Sequence, residues 1–322
     1  MTIVAEIKER GMEAVREWAL ELDGAEPQRA EPDGDVPVEA ILQLADRVAR
    51  WHSVQRPADV ELEVEPGVVL ERRWVALDTV GVYVPRGLVS TLVMCAVPAR
   101  IAGVRRIVVC TPPGGAGTVA AAAAVLGLDE VWALGGPQAI GFLAYVERVD
   151  KIVGPGNAYV NDAKLEVSRD VPIDLPGGPS EVVVLGDGDP RIVELELAAQ
   201  REHGHEAVCT TVASLPEAEA IAPEHLVLLG EAQGLAGAVR NAGSVFVGPW
   251  SPVPAGDYAT GGNHVLPTNG WARSVGGLGL ETFLKPITVQ RITREGLRLL
   301  LPTIEALAEV EGMPAHAEAA RR

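Results

Sequence analysis

The chain has 322 residues, 48% of them hydrophobic and 22% charged, with a formal net charge of −17. That length allows two domains with a sizeable core, and the composition is ordinary for a soluble globular protein. The negative charge argues against nucleic acid and against anionic membrane surfaces as partners. No apolar stretch is long and clean enough to span a bilayer. Ile3 to Trp18 is broken by Glu, Lys and Arg, so it is not a signal peptide. A cytoplasmic protein is expected. An anionic cofactor stays compatible with this charge, because helix N-termini bind phosphates without a net positive protein.

Val4 to Leu22 reads as one amphipathic helix ending near Asp23-Gly24. A Pro/Glu/Asp-rich loop follows, and Pro37 to Gln55 reads as a second helix. Val60 to Tyr83 alternates apolar and polar residues around Pro66-Gly67, which predicts a hairpin running into a strand at Val80–Tyr83. From Ser90 the texture becomes βα repeats. Strands are expected at Arg106–Thr111, Glu130–Leu134 and Lys151–Val153, and helices at Ser90–Ala102, after Pro112-Pro113-Gly114-Gly115, from Gln138 and from Ala158. Pro176 to Ser180 reads as a domain junction. A strand at Glu181–Leu185 leads to Asp189-Pro190, a helix cap followed by Pro at the first helical position. That helix is expected to run to His203 and stop at Gly204. Ala207–Ala213 and Ser244–Val247 read as further strands, and the chain beyond Phe283 as a mostly helical tail.

Strands alternating with helices predict parallel sheets. The fold class is therefore α/β, with two Rossmann-like doubly wound domains and a helical C-terminal tail. Residues 1–82 plus 181–278 are expected to form the first domain, 83–180 the second, and 279–322 the tail.

Cys95, Cys110 and Cys209 each sit in an apolar run without a CxxC, so they read as core thiols. There is no GxGxxG. The turns Gly135-Gly136-Pro137-Gln138 and Gly154-Pro155-Gly156-Asn157 each follow a strand and open a helix, where ligands of doubly wound sheets bind. Glu224 and His225 stand side by side in a short polar insert. A carboxylate and an imidazole in one pocket can do two proton-transfer jobs. Gln200 and His203 share a helix face at a spacing of three; His205 invites a His-Gly-His reading, but Gly204 is expected to end the helix and turn His205 elsewhere. Asp257 sits in what reads as a Gly-rich loop. Five of the six histidines lie after residue 200. Gln, His, Asp and a further His make an N/O donor set compatible with zinc.

Taken together, several segments resemble histidinol dehydrogenase. They are Gly81-Val82-Tyr83-Val84-Pro85, Lys151 through Val160, Gly178-Pro179-Ser180-Glu181, Gln200-Arg201-Glu202-His203, Ala222 through Leu226, Gly256-Asp257-Tyr258 and Asn263 through Thr268, with the His316 tail. The resemblance runs in order from about the first helix to the last residues. It implies a zinc- and NAD-dependent homodimer that oxidises L-histidinol to L-histidine through L-histidinal, in two hydride transfers. By that match Gln200, His203, Asp257 and His316 hold Zn2+, His316 coming from the partner subunit. His225 takes the alcohol proton and Glu224 activates water at the aldehyde stage. Ser180, His264 and Glu311 contact substrate, and Tyr83, Gln138 and Asn157 bind NAD.

Against the family's pattern this chain is shorter. It starts inside the first core helix. The segment after Pro85 is cut down and carries Arg86, and the stretch between Thr211 and Ile221 is abbreviated. Every named site residue remains. Two other readings follow from the same residues: a related zinc/NAD dehydrogenase of another small polar alcohol, and an inactive zinc-binding interaction subunit.

Overall fold

The computed structural model describes residues 1–204 and 206–321. His205 lies outside them, and with it the His-Gly-His reading. The N-terminal periodicity forms two helices in place of the single one expected. α1 (Ile3–Arg10) starts on Thr2, whose Oγ1 accepts the Ala5 N–H at 3.2 Å, and ends at Gly11, where φ is +61°. α2 (Met12–Leu22) continues at a new angle. Val4, Ile7, Ala14, Val15 and Ala19 turn into the core from the two helices. A two-residue strand, β1 (Gln28–Arg29), lies in the loop that follows. α3 (Val38–Ser53) buries Ile41, Leu44, Val48 and His52, a three-four spacing that makes one apolar face.

β2 (Val60–Glu65) and β3 (Val68–Ala76) form the expected hairpin, and β4 (Thr79–Tyr83) leaves it for a parallel sheet. The βα alternation then runs α4 (Val89–Ala102), β5 (Arg106–Thr111), α5 (Pro113–Val125), β6 (Val131–Ala133), α6 (Gly136–Gly141), β7 (Lys151–Val153) and α7 (Ala158–Val167). Gly114 and Gly115 fall inside the first turn of α5, because Pro113 serves as a helix-opening residue that needs no N–H partner. The strand order is β1-β6-β5-β4-β7, with β6, β5, β4 and β7 parallel and β1 antiparallel at the edge. Counted from β4, the parallel strands stand in the 3-2-1-4 order of a dinucleotide-binding half. The order reverses between β4 and β7.

The second sheet is built from β8 (Glu181–Leu185), α8 (Pro190–Arg201), β9 (Val208–Val212), α9 (Leu215–Ile221), β10 (His225–Leu228), β11 (Ser244–Val247) and α10 (Val253–Tyr258). Its order is β11-β10-β8-β9, all parallel. β8 is buried along its whole length, as a strand covered on both faces must be. Alternate residues feed opposite faces: Val183, Leu185, Leu226 and Leu228 pack in one apolar cluster, Val182, Val184 and Val227 in another. Three expectations need correction here. α8 ends at Arg201, so His203 lies just past the helix. Asp257 belongs to α10 and not to a loop. The polar insert at Glu224-His225 opens a buried strand, β10.

Beyond Phe283 the chain first forms β12 (Leu284–Ile292), paired antiparallel with β3 over nine residues, and then α11 (Arg294–Val310) and α12 (Pro314–Ala320). The division of the chain therefore falls elsewhere than expected. One unit comprises Met1–Arg56 and Leu77–Phe283 and holds both parallel sheets; the other comprises Pro57–Ala76 and Leu284–Arg322. The reason is pairing across sequence distance: β12 completes the β2–β3 sheet. The N-terminal helices also pack with the first parallel sheet, not the second, Val4, Ile7 and Val15 sharing a core with Val108, Ile140 and Phe142. Among the described residues no helix is long and apolar enough to cross a membrane.

Candidate active site

The polar pair sits at the amino end of the second sheet. β10 is entered through Ala222, a buried non-glycine residue at φ +54°, followed by Pro223. This turn brings Glu224 and His225 beside the start of β8. Ser180 Oγ donates to Glu224 Oε2 at 2.5 Å, and the Glu181 N–H donates to the same oxygen at 2.9 Å. In return the Glu181 carboxylate accepts the Glu224 N–H at 3.2 Å and the Asn269 N–H at 3.0 Å. His225 Nδ1 lies 3.0 Å from the Glu181 carbonyl oxygen. A carbonyl only accepts, so Nδ1 carries the proton and Nε2 keeps its lone pair. Nε2 is buried without a hydrogen-bond partner among the described residues and lies 3.9 Å from Asp257 Oδ1.

Burial sets the electrostatics. It pushes the Glu224 carboxyl up to about 7, against the hydrogen bonds from Ser180 and Glu181 that favour the charged form. It also lowers the pKa of His225, which therefore stays neutral near pH 7. Asp257 is raised, again mainly by burial, and His264 is lowered to about 4. The site thus offers a neutral imidazole nitrogen beside a carboxyl that exchanges its proton near neutrality.

A cavity of about 330 Å³ opens beside this pair, walled by His225, Phe246, Asp257, Thr260, Asn263 and His264. His264 is held between the Asp257 carbonyl (Nδ1, 3.0 Å) and Thr91 Oγ1 (Nε2, 3.3 Å). Asn263 donates to the Met94 carbonyl at 2.7 Å. Thr91 and Met94 belong to α4, which leaves the carboxyl end of β4, so the cavity reaches toward the first sheet. His203, exposed just past α8, is not among the residues that wall this cavity. On α8, Glu196 accepts the Val253 N–H at the start of α10 at 3.1 Å. Gln200, one turn further on that face, is 2% exposed, and neither end of its amide has a partner among the described residues.

An orphaned buried amide is costly unless a ligand completes it. Gln200, His203 and Asp257 are each of a donor type that zinc accepts. Among the described residues no group of three or more His, Cys, Asp or Glu is gathered to hold a metal ion. Of the four expected donors one is an amide, and His316 lies in the other unit, exposed on α12. Glu311, also exposed, caps α11 in that unit.

Tyr83, Gln138 and Asn157 do not line this cavity and lie at or just past the carboxyl ends of β4, β6 and β7. The two turns expected to offer free N–H groups differ. In the first, the Gly135 N–H is taken by Asp23 Oδ2 (2.9 Å) and the Gly136 N–H by the Tyr83 hydroxyl (3.3 Å). In the second, Asp174 Oδ2 takes the Gly154 N–H at 2.7 Å, while Asn157 Oδ1 caps α7 by accepting the Val160 N–H at 3.1 Å. A buried Lys164–Asp174 ion pair of 2.5 Å braces this turn, Lys164 also donating to the Gly154 carbonyl.

Glu181, Thr91, Glu196, Asp23 and Asp174 organise the two regions and escaped the sequence reading. Glu181 alone had a signal, as the residue after Ser180 in a run that is otherwise apolar.

The architecture and the pocket define a class: an α/β protein with a dinucleotide-type sheet beside a buried acid–base site. The sequence profile of the histidinol dehydrogenase family matches residues 1–218 and 213–322. Histidinol dehydrogenase of Methanothermobacter thermautotrophicus is 39% identical, over 99% of this chain and 91% of its own length. That of Photobacterium profundum is 36% identical, over 98% and 87%. The solved structure of histidinol dehydrogenase from Elizabethkingia anophelis superimposes with a TM-score of 0.90 at 31% identity, over 99% of this chain and 90% of the other. The chain belongs to the histidinol dehydrogenase family of oxidoreductases.

Proposed function

We propose that this protein oxidises L-histidinol to L-histidine through L-histidinal, passing two hydrides to NAD, as a cytoplasmic homodimer with zinc in each site. The observation that carries this reading is the His225 imidazole. Its Nδ1 is held by the Glu181 carbonyl, its Nε2 lies 3.9 Å from Asp257 Oδ1, and the residue lines a cavity shared with Asp257 and His264.

His225 Nε2 accepts the alcohol proton in the first oxidation. Its lowered pKa keeps it in the accepting form. Glu224 accepts a proton from the water that adds to the aldehyde, and a carboxyl poised near 7 suits that exchange. Ser180 holds the Glu224 oxygen in place, and Ser180 and His264 with Glu311 contact substrate. Gln200, His203 and Asp257, with His316 of a second copy, hold zinc, whose orphaned amide donor at Gln200 supports the assignment. Zinc, when bound, supplies an electrophile that orients the amino and imidazole nitrogens of the substrate. Tyr83, Gln138 and Asn157 bind NAD, and the 3-2-1-4 strand order supports a dinucleotide at that edge. Orientation is the protein's contribution to hydride transfer.

NADH formation from a panel of small amino alcohols tests the proposal. Histidinol should be the preferred substrate, with activity lost to a chelator and restored by zinc. Preference for another amino alcohol, or full activity in the metal-free protein, would contradict it.

A further inference from the structure

Two residues of the cavity wall spend their polar atoms on the scaffold behind them. His264 Nδ1 lies 3.0 Å from the Asp257 carbonyl oxygen. A carbonyl only accepts, so Nδ1 carries the proton and Nε2 keeps a lone pair. The group within reach of that lone pair is the Thr91 hydroxyl at 3.3 Å, which must then donate. Thr91 is 1% exposed, and among the described residues its hydroxyl has no other hydrogen-bond partner. Next to His264, the Asn263 amide donates to the Met94 carbonyl at 2.7 Å and accepts the Val265 N–H at 3.0 Å. Thr91 and Met94 both belong to the first half of α4. That helix therefore holds the Asn263-His264 wall twice, once through a backbone carbonyl and once through a side chain.

The two contacts differ in what a substitution can change. Any residue at position 94 supplies a carbonyl, whereas the donor to Nε2 depends on the hydroxyl at position 91. Without it the ring keeps only its bond to Asp257, and Nε2 is left without a donor. We propose that Thr91 is a positioning residue for the substrate: its hydroxyl fixes the tautomer and orientation of His264, whose ring walls the cavity beside His225 and Asp257. Affinity for the amino alcohol is then set in part from α4, an element that does not itself line the cavity. This rests on the reading that histidinol occupies this cavity and meets His264.

Steady-state kinetics with histidinol and NAD, on the purified protein and its variants, tests the role. Thr91→Val keeps the shape of the side chain and removes the hydroxyl. Thr91→Ser keeps the hydroxyl and removes the methyl. Thr91→Val should raise KM for histidinol about three- to tenfold, the size of one neutral hydrogen bond, with KM for NAD unchanged and kcat changed less than KM. Thr91→Ser should restore the wild-type KM. Thr91→Ala, which lacks both groups, should match Thr91→Val and gives the same comparison if the valine variant does not fold. An unchanged KM in the variants without the hydroxyl, a loss that Thr91→Ser shares, or an equal rise in KM for histidinol and NAD overturns the proposal. His264→Ala tests the underlying reading: if KM for histidinol is unaffected there, the substrate does not meet this ring, and that reading fails before Thr91 is at issue.

Discussion

At His225 chemistry and folding can be separated. An Asn side chain at this position can still donate to the Glu181 carbonyl, but it has no ring nitrogen to take a proton. His225→Asn should lower kcat roughly 10²–10⁴-fold, the usual size of a general acid–base contribution, with thermal stability and bound zinc near wild type. A small loss of rate would remove His225 from the chemistry. His52 gives a second residue-scale expectation, about stability. It is fully buried, with Nδ1 2.8 Å from the Val48 carbonyl, and burial lowers its pKa. The unfolded chain takes up a proton here near pH 6.5 while the folded chain resists it to lower pH. Protons thus favour unfolding, and stability falls as pH drops below about 6.5. Glu181 and Glu224, whose pKa values are raised, act in the opposite sense as pH rises. Urea unfolding of wild type and His52→Gln between about pH 5 and 8 isolates the His52 part: the gap between the two curves should change below pH 6.5 and be constant above it. The Glu224-His225 pair was legible because polar residues interrupt an apolar run. The service of Glu181 was not, because it works through its carbonyl and through a side chain reaching to neighbouring segments.

The elements that sequence reveals are those whose patterning follows from their own surroundings. β5, β8 and β11 are runs bounded by turn residues, and they lie where expected. β10 was hidden because its first residue is a polar histidine that follows Glu224, and β12 because it is largely exposed and contains Lys285 and Pro286. The break between α1 and α2 was hidden because the apolar face continues on both sides of Gly11. The two sheets share one device that only the structure reveals. Gly154 after β7 and Gly186 after β8 both have φ +110°, and a β-carbon at either would stand 2.1 Å from a backbone carbonyl oxygen, of Tyr83 and Leu229 respectively. Each lets a strand exit close against its neighbour at the reversal of strand order. Gly154→Ala or Gly186→Ala should therefore cost at least ~2 kcal/mol of stability, combining backbone strain and overlap. Denaturant midpoints within error of wild type would mean the turns relax freely.

For the whole molecule, the proposed function uses opposite ends of the two sheets: the carboxyl ends of the first, where NAD is proposed to bind, and the amino ends of the second, where Glu224 and His225 stand. The α/β class was legible from alternation. The division into units was not, since it depends on β12 pairing with β3 across more than two hundred residues of sequence. His316 lies in the other unit from Gln200, His203 and Asp257, and under the proposed function it completes the site of a second copy. Mixing His316→Ala chains with His203→Ala chains, each inactive alone, should restore about a quarter of wild-type activity through heterodimers with one intact site. No recovery in verified heterodimers would contradict the shared site. The central claim is that one pocket performs two oxidations with separate proton acceptors, and single-turnover NADH yield tests it most directly. Wild type should release two NADH per histidinol. Glu224→Gln, which keeps the shape and the Ser180 contact but cannot take a proton, should stop after about one, with histidinal retained or released. Two NADH at the wild-type rate from Glu224→Gln, or only one from the wild type, would contradict the account.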